Sequence, residues 1–321
     1  MFLLEESILG EDREFGMAGC YVVFHKQLGD LLLLEPSLAR LRSYHDAPVR
    51  VLTRSRHRSL VTLMEGVEYQ AGLPIAWKEK LYCYDPLRKS AVRSFFTPAL
   101  RRHYIFPNPH EMEWFHSVLF RRIIGLNLED QYVAEYFWEN TPVPFQNTFR
   151  TPQLKSPPSV WKPKAMDNGS FILINPTSGW KSKNWLPERW AEVLKVLYDH
   201  YQMPLFMTNA SSDWQMTHCQ EIIEKSGGIV RGLEHTSLEN FLWLCSRASF
   251  VLTVDGATSH LSQAFEVPSV TLFGPTSLAN WHYPTKLNIA VQASSDDDGI
   301  RRMKNLQVGD VIEKIMSIDK L

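Results

Sequence analysis

The four cysteines of this 321-residue chain, Cys20, Cys83, Cys219 and Cys245, are scattered, and no CxxC pair or histidine stands near them at metal-ligand spacing. That excludes a disulfide framework and a zinc ribbon, and it reads as reduced structural thiol in a reducing compartment. No apolar run approaches the ~20 residues needed to span a bilayer. The N-terminal stretch MFLLEESILGEDREFG is acidic where a secretory leader is basic, and it lacks an apolar centre of leader length. A cytoplasmic protein that at most visits a membrane surface is expected. An excess of either charge is missing too: 34 Lys and Arg stand against 35 Asp and Glu, a formal net charge of −1. Overall charge therefore argues against a dedicated nucleic-acid binder. A local basic run, Arg40, Arg42, Arg50, Arg54, Arg56 and Arg58, remains in the N-terminal half; it is either a solvated face or a contact for an anionic partner.

What is present is ordinary globular composition, 44% hydrophobic and 21% charged, in a chain long enough for two domains. Residues 1–17 show no periodicity and read as a flexible extension. CYVVFHK then reads as a buried strand, followed by a Gly-Asp turn and a helix through LLLLEPSLARLRSY in spite of Pro36. VRVLT (49–53) reads as a strand and RHRSLVTLMEG as a helix. HYIFPNP (103–109) reads as a further strand, and EMEWFHSVLFRRIIGLN (111–127) has helical spacing through Trp114, Phe115, Val118, Leu119 and Ile123. Prolines punctuate residues 141–170, the best place for a linker. Beyond it FILINP, LPERWAEVLKVLYDHY, PLFMTN, DWQMTHCQEIIEKSG, LENFLWLCSRA, SFVLTVD, ATSHLSQAFE and PSVTLFG alternate strand with helix, and LQVGDVIEKIMSI closes the chain as an amphipathic helix. Such alternation implies parallel sheets covered by helices on both faces, with a ligand at the carboxyl ends of the strands.

Three segments carry chemistry. In residues 249–276 an apolar strand runs into Asp255, and Gly256, Ala257, Thr258 and Ser259 open a helix. Exposed N–H groups and the helix dipole would cradle a pyrophosphate there, with His260 as a further donor and Gly274 after the next strand. The alternative is an ordinary strand-to-helix turn capped by Asp255. In FILINPTSGWKSKNWLPERW (171–190) a loop holding Thr177, Ser178, Lys181 and Lys183 follows a strand. A lysine there can neutralise charge on a diphosphate leaving group, or both lysines are solvated loop charges. In HKQLGDLLLLEPSLARL (25–41) Gly29 permits a tight turn, and Asp30 opens the helix as a general base or as a plain N-cap.

Together and in this order, LGDLLLLEPSLARL, NPTSGWKSKNWLPERW and VDGATSHLSQAFEVPSVTLFGPT resemble the bacterial heptosyltransferases, the inverting ADP-heptose transferases of lipopolysaccharide core assembly (glycosyltransferase family 9). The resemblance implies an α/β GT-B fold, two Rossmann-like domains facing across a cleft. The implied limits are 18–150 for the acceptor domain, 151–169 for the linker, 170–305 for the nucleotide-sugar domain and 306–321 for a last helix packing back across the domains. It implies transfer of a heptose or related sugar from ADP-heptose to a lipopolysaccharide core or other saccharide at the inner membrane surface. No metal or other cofactor is expected. Asp30 matches the family's proposed base, Lys183 the lysine two residues before the family's tryptophan, here Trp185, and Asp255, Gly256, Ala257 and His260 the family's Asp-(Thr/Ser)-Gly-x-x-His turn. Asp213 is a candidate on the nucleoside side. Gly29, Arg54, Arg56 and Arg58, with the stretch 82–93, are candidates on the acceptor side. The turn departs from the family in reading Asp-Gly-Ala, which leaves Thr258 and Ser259 to supply hydroxyls, and the basic residues before Gly-Asp, His25 and Lys26, sit closer to it than usual. Cysteines before the last helix are missing. Two other functions fit the same architecture: a non-catalytic nucleotide-sugar-binding protein and a nucleotide-sugar epimerase.

Overall fold

A computed structural model describes residues 19–72, 76–85, 88–97, 99–105, 123–124, 128, 130–145, 147–164, 169–208, 212–233 and 236–318. Six strands form a first sheet: β1 (Cys20–Val23), β2 (Val49–Leu52), β3 (Val67–Gln70), β4 (Ala76–Cys83), β5 (Ala99–Ile105) and β6 (Ile123–Ile124). Six more form a second: β7 (Ile172–Asn175), β8 (Leu205–Thr208), β9 (Val230–Leu233), β10 (Phe250–Val254), β11 (Ser269–Phe273) and β12 (Asn288–Gln292). The spatial orders are β3-β2-β1-β4-β5-β6 and β12-β11-β10-β7-β8-β9. Among the described residues every pairing between these strands is parallel. Counted from the first strand of each sheet, both orders are the same doubly wound 3-2-1-4-5-6, with a switch point between β1 and β4 and another between β7 and β10.

The central strands are buried end to end, CYVV in β1, FVLTV in β10 and SVTLF in β11, as parallel strands covered on both faces must be. The first sheet carries helices α1 (Leu28–Leu32), α2 (Glu35–His45), α3 (Arg58–Leu63), α4 (Arg88–Phe96) and α5 (Val133–Glu139). The second carries α6 (Pro187–Tyr201), α7 (Asp213–Lys225), α8 (Leu238–Arg247), α9 (Ala257–Ala264), α10 (Leu278–Trp281) and α11 (Val308–Met316). One apolar cluster runs from Val22 and Leu31 of the first sheet's layer to Leu242, Val251 and Leu261 of the second's, so the core continues through the domain contact.

Several sequence expectations change. The single helix through Pro36 is two, α1 and α2, with Pro36 in the first turn of α2, where its missing N–H costs nothing. The expected loop at 82–93 is in part regular structure: Tyr82 is buried in β4 and the stretch from Arg88 is helical. Most of the expected helix at 111–127 lies outside the described residues, as do 1–17, but its Ile123 belongs to a strand paired with β5. The strands β3, β4, β9 and β12 lacked a legible pattern. Among the described residues the last helix packs on the second half: Val311 and Ile315 of α11 enter the second sheet's own core, and α11 packs on α6, β11 and β12. Residues 151–158 run without helix or strand and bond to both halves, Leu154 N–H to the Ala264 carbonyl at 3.1 Å and Lys155 N–H to the Leu63 carbonyl at 2.9 Å.

Candidate functional site

A cavity of about 650 Å³ lies where the two sheets face each other, at the carboxyl ends of β1, β7 and β10. From the first half it is lined by the start of α1, Gln27 to Asp30. From the second come the loop after β7, with Asn175, Thr177, Ser178, Trp180 and Lys183, and the turn after β10, with Asp255 to Thr258 and His260. Both switch points thus open into one space, which is where doubly wound sheets bind ligands.

Asp255 follows β10 at 2% exposure, and its Oδ2 accepts from Lys183 Nζ at 2.6 Å and from Thr276 Oγ1 at 2.7 Å. A carboxylate is acceptor-only and would repel a phosphate, so here Asp255 positions the lysine. Lys183 is held from the other side by sequence as well. Trp185, two residues on, is buried with its indole N–H on the Leu306 carbonyl at 3.2 Å, which pins the loop to the second domain's core. The ammonium also lies 5.0 Å from the Trp180 ring, a side chain 63% exposed on the cavity wall. An ammonium carries three N–H donors, so the bond to Asp255 leaves donors for the cavity.

Gly256, the N-cap of α9, has no side chain to satisfy the first-turn N–H groups. Its φ of 167° is extended backbone, and an added Cβ would meet only Ser178 Cβ at 3.5 Å. The N–H groups of the first turn, Ala257 and Thr258 among them, offer donors to an anion, with the helix dipole behind them. Thr258 Oγ1 accepts from Asn175 Nδ2 at 2.6 Å, leaving its own O–H to donate elsewhere. Ser259 differs: its hydroxyl is spent on the Gly256 carbonyl at 2.7 Å, and it does not line the cavity. His260 is buried, and burial pushes its pKa down to about 4, so it stays neutral and keeps a single ring N–H to donate.

Gly29 sits inside α1 rather than in a tight turn. A Cβ there would stand 3.2 Å from Ala257 Cα and 3.2 Å from His260 Cδ2, so the missing side chain lets α1 meet α9 across the domain contact. Asp30, at the third position of α1, accepts from the Gln27 backbone N–H at 3.1 Å and lines the same cavity. Gln27 Oε1 in turn accepts from Arg54 at 3.3 Å and Arg56 at 2.8 Å, which ties the basic run to the cavity edge. Arg58 lies apart, its guanidinium 5.8 Å from the Tyr69 ring.

Three other sequence candidates are not brought to the cavity. Lys181 is exposed over the Trp214 ring at 5.6 Å, Asp213 is exposed at the start of α7, and neither lines it. Gly274 is small for a packing reason: a Cβ would fall 2.7 Å from Met303 Sδ. The sequence reading missed Asn175, Thr276, Gln215 and Trp281, which line the cavity. Asn175 and Thr276 were within reach, because each follows a core strand at its carboxyl end. Among the described residues no three His, Cys, Asp or Glu side chains group so as to hold a metal ion, and no helix is long and apolar enough to cross a membrane.

Two doubly wound sheets with a cavity between them define the two-domain architecture of GT-B proteins. The chain belongs to glycosyltransferase family 9 (heptosyltransferase), whose sequence model matches residues 100–307. It is 24% identical over 186 residues to lipopolysaccharide heptosyltransferase 1 of Escherichia coli K12, a match covering 55% of this chain and 48% of that protein. The matched region thus spans about half the length of the curated relative. Among solved structures, a family 9 glycosyl transferase from Veillonella parvula superposes with a TM-score of 0.78 at 13% identity, over 95% of this chain and 98% of that one. The E. coli heptosyltransferase WaaC with ADP superposes with a TM-score of 0.73 at 17% identity, over 94% and 99%. These likenesses place the fold.

Proposed function

We propose that this chain is an inverting glycosyltransferase that moves a heptose, or a related sugar, from ADP-heptose to a saccharide hydroxyl of a lipopolysaccharide core at a membrane surface. One observation carries the reading: a single cavity joins a carboxylate on the first sheet, Asp30, to a lysine and a helix N-terminus on the second, Lys183 and Gly256 to Thr258. That is the polarity a transfer needs, with a proton acceptor on one side and a leaving-group cradle on the other. ADP is favoured because WaaC is seen with ADP, and heptose because the E. coli relative is a heptosyltransferase.

In the reaction the acceptor oxygen attacks the anomeric carbon from the Asp30 side. Its proton passes to the carboxylate as the new C–O bond forms, and the bond to the diphosphate breaks on the opposite face. Negative charge grows on the leaving ADP, where Lys183 and the α9 N–H groups donate to it. A carboxylate at a helix N-terminus is a weak base, so orientation by the Gln27 N–H contributes more than base strength. Neutral His260 adds a donor without adding charge. The roles of Arg54 and Arg56 follow from their bonds to Gln27, a residue of the cavity lining, where a phosphorylated or carboxylated acceptor would present its charge.

The test is Asp30→Asn, assayed for ADP release with donor and core acceptor. ADP at about 100 times its dissociation constant is expected to stabilise the variant and the native protein alike, by ~2.7 kcal/mol. Turnover is expected to fall ~10²- to 10⁴-fold. Near-normal turnover removes Asp30 from the chemistry, and loss of ADP stabilisation removes the nucleotide assignment.

A further inference from the structure

Among the described side chains Trp180 is the one tryptophan turned mostly to solvent; the others are buried or half-buried. A single exposed apolar side chain needs no explanation, but this one lines the cavity, and its backbone is fastened. The Trp180 N–H donates to Ser178 Oγ at 3.4 Å, and its carbonyl accepts from the Lys183 N–H at 3.1 Å. The Ser178 carbonyl in turn accepts from Gln215 Nε2 of α7 at 2.7 Å. An open indole is thus held ready on a fixed loop, so a ligand that covers it pays little for ordering the protein.

Two observations say which part of a ligand covers it. Lys183 Nζ stands 5.0 Å from the ring centroid and is fixed by Asp255. An anion accepting from that ammonium lies ~3 Å from it, so whatever is joined to the anion passes beside the ring. The strand order then separates the two ends of a nucleotide sugar. β10 stands between β11 and β7, and β8 and β9 follow beyond β7. The first half meets this row at α9, after β10, where Gly29 lies against Ala257 and His260. The transferred sugar must face that side, because Asp30 is there. Trp180 follows β7 on a loop tied to α7, and the cavity continues past it to Thr208 and Thr236, after β8 and β9. That side is left for the nucleoside.

We infer that Trp180 is the stacking platform for the nucleobase of the donor, and that it gives the site a preference for purine over pyrimidine diphosphates. A bicyclic base covers more of an indole than a single ring does. Stacking reads the face of a base and not its edge, so Trp180 does not choose between adenine and guanine. The inference rests on the donor reading above and adds to it the residue that sets the class of base.

Isothermal titration of the full chain with ADP, GDP, UDP, inorganic pyrophosphate and ADP-heptose tests it. The native chain is expected to bind ADP and GDP at least about fivefold more tightly than UDP. Trp180→Ala should weaken ADP and GDP by about 5- to 150-fold, equivalent to the ~1–3 kcal/mol of one base–aromatic stack, and leave pyrophosphate unchanged. Trp180→Phe should keep most of the affinity, whereas Trp180→Leu, with apolar bulk but no ring, should not. Unfolding midpoints without ligand should match the native chain in all three, because the side chain is exposed. Equal affinity of Trp180→Ala and the native chain for ADP overturns the inference while the donor reading stands. Equal loss across ADP, UDP and pyrophosphate also overturns it, since the ring would then act only by holding Lys183. Loss confined to ADP-heptose assigns the ring to the sugar and overturns it as well. If the native chain binds no nucleoside diphosphate, the donor reading and this inference fall together.

Discussion

Asp255 and Lys183 show how one ion pair shapes the candidate site. Both side chains are largely withdrawn from water, at 2% and 14% exposure, and a buried carboxylate that loses its cation is costly. Lys183→Ala is therefore expected to destabilise the fold by ~3–5 kcal/mol in denaturant unfolding, well beyond the effect of an ordinary surface lysine. Adding Asp255→Asn should restore most of that loss, because the neutral amide needs no cation. Equal stability of Lys183→Ala and the native chain would mean that water reaches Asp255 freely. The same pair explains why the sequence assigned Asp255 to the ligand. A carboxylate at the end of a core strand looks like a contact until its partners are seen, and those partners come from residues 72 and 21 positions away.

At the scale of elements, the meeting of α1 and α9 governs the cleft. Helix propensity favours alanine over glycine at position 29 by ~1 kcal/mol, yet a Cβ there would press on the backbone of Ala257 at 3.2 Å. Backbone cannot swing aside as a flexible side chain can, so packing outweighs propensity. Gly29→Ala is expected to lower stability by ~1–3 kcal/mol and to raise KM for the donor, since the displaced turn is the proposed anion cradle. An unchanged melting temperature and KM would show slack at this contact. Elements were legible where burial imposed one period on a long run, as in β10, α6 and α8. They were not where burial was mixed: β3 (VEYQ) and β9 (VRGL) each bury only their first residue and present too few apolar positions to announce a strand. The helix α4 hid because its inward face is serine and threonine.

Each half of the molecule has a buried imidazole whose protonation is disfavoured. His57 in the first and His260 in the second each have a pKa pushed down to about 4, in both cases first by burial, with Arg56 and Arg54 adding to the effect at His57. Burial also lowers His282 and His218. In the unfolded chain His57 and His260 take up protons near pH 6.5, while in the fold they do so only near pH 4. The unfolded state thus binds more protons between those values, and stability rises with pH through that window. It is complete above about pH 6.5 and lost as pH falls toward 4, with His260 alone contributing about 3 kcal/mol. Unfolding midpoints measured from pH 7 to pH 4.5 should fall accordingly, and His260→Gln should flatten part of the slope. A midpoint independent of pH over that range would mean that the imidazoles are hydrated in the native state.

The sequence by itself determined the two α/β halves, the position of the switch-point turns and the identity of the family, because long buried strands and small residues at helix starts leave a local, periodic trace. It also placed Asp30, Lys183 and Gly256 in the segments that follow strands, facing a cleft. Only the tertiary structure decided that Asp255 serves Lys183, that Gly29 is spared a side chain for the sake of Ala257, that Ser259 is spent on its own helix, that Gly274 makes room for Met303, and that α11 packs on the second half. Each of these depends on a partner distant in sequence, and the spacing of residues along a chain carries no record of which distant surface it will meet.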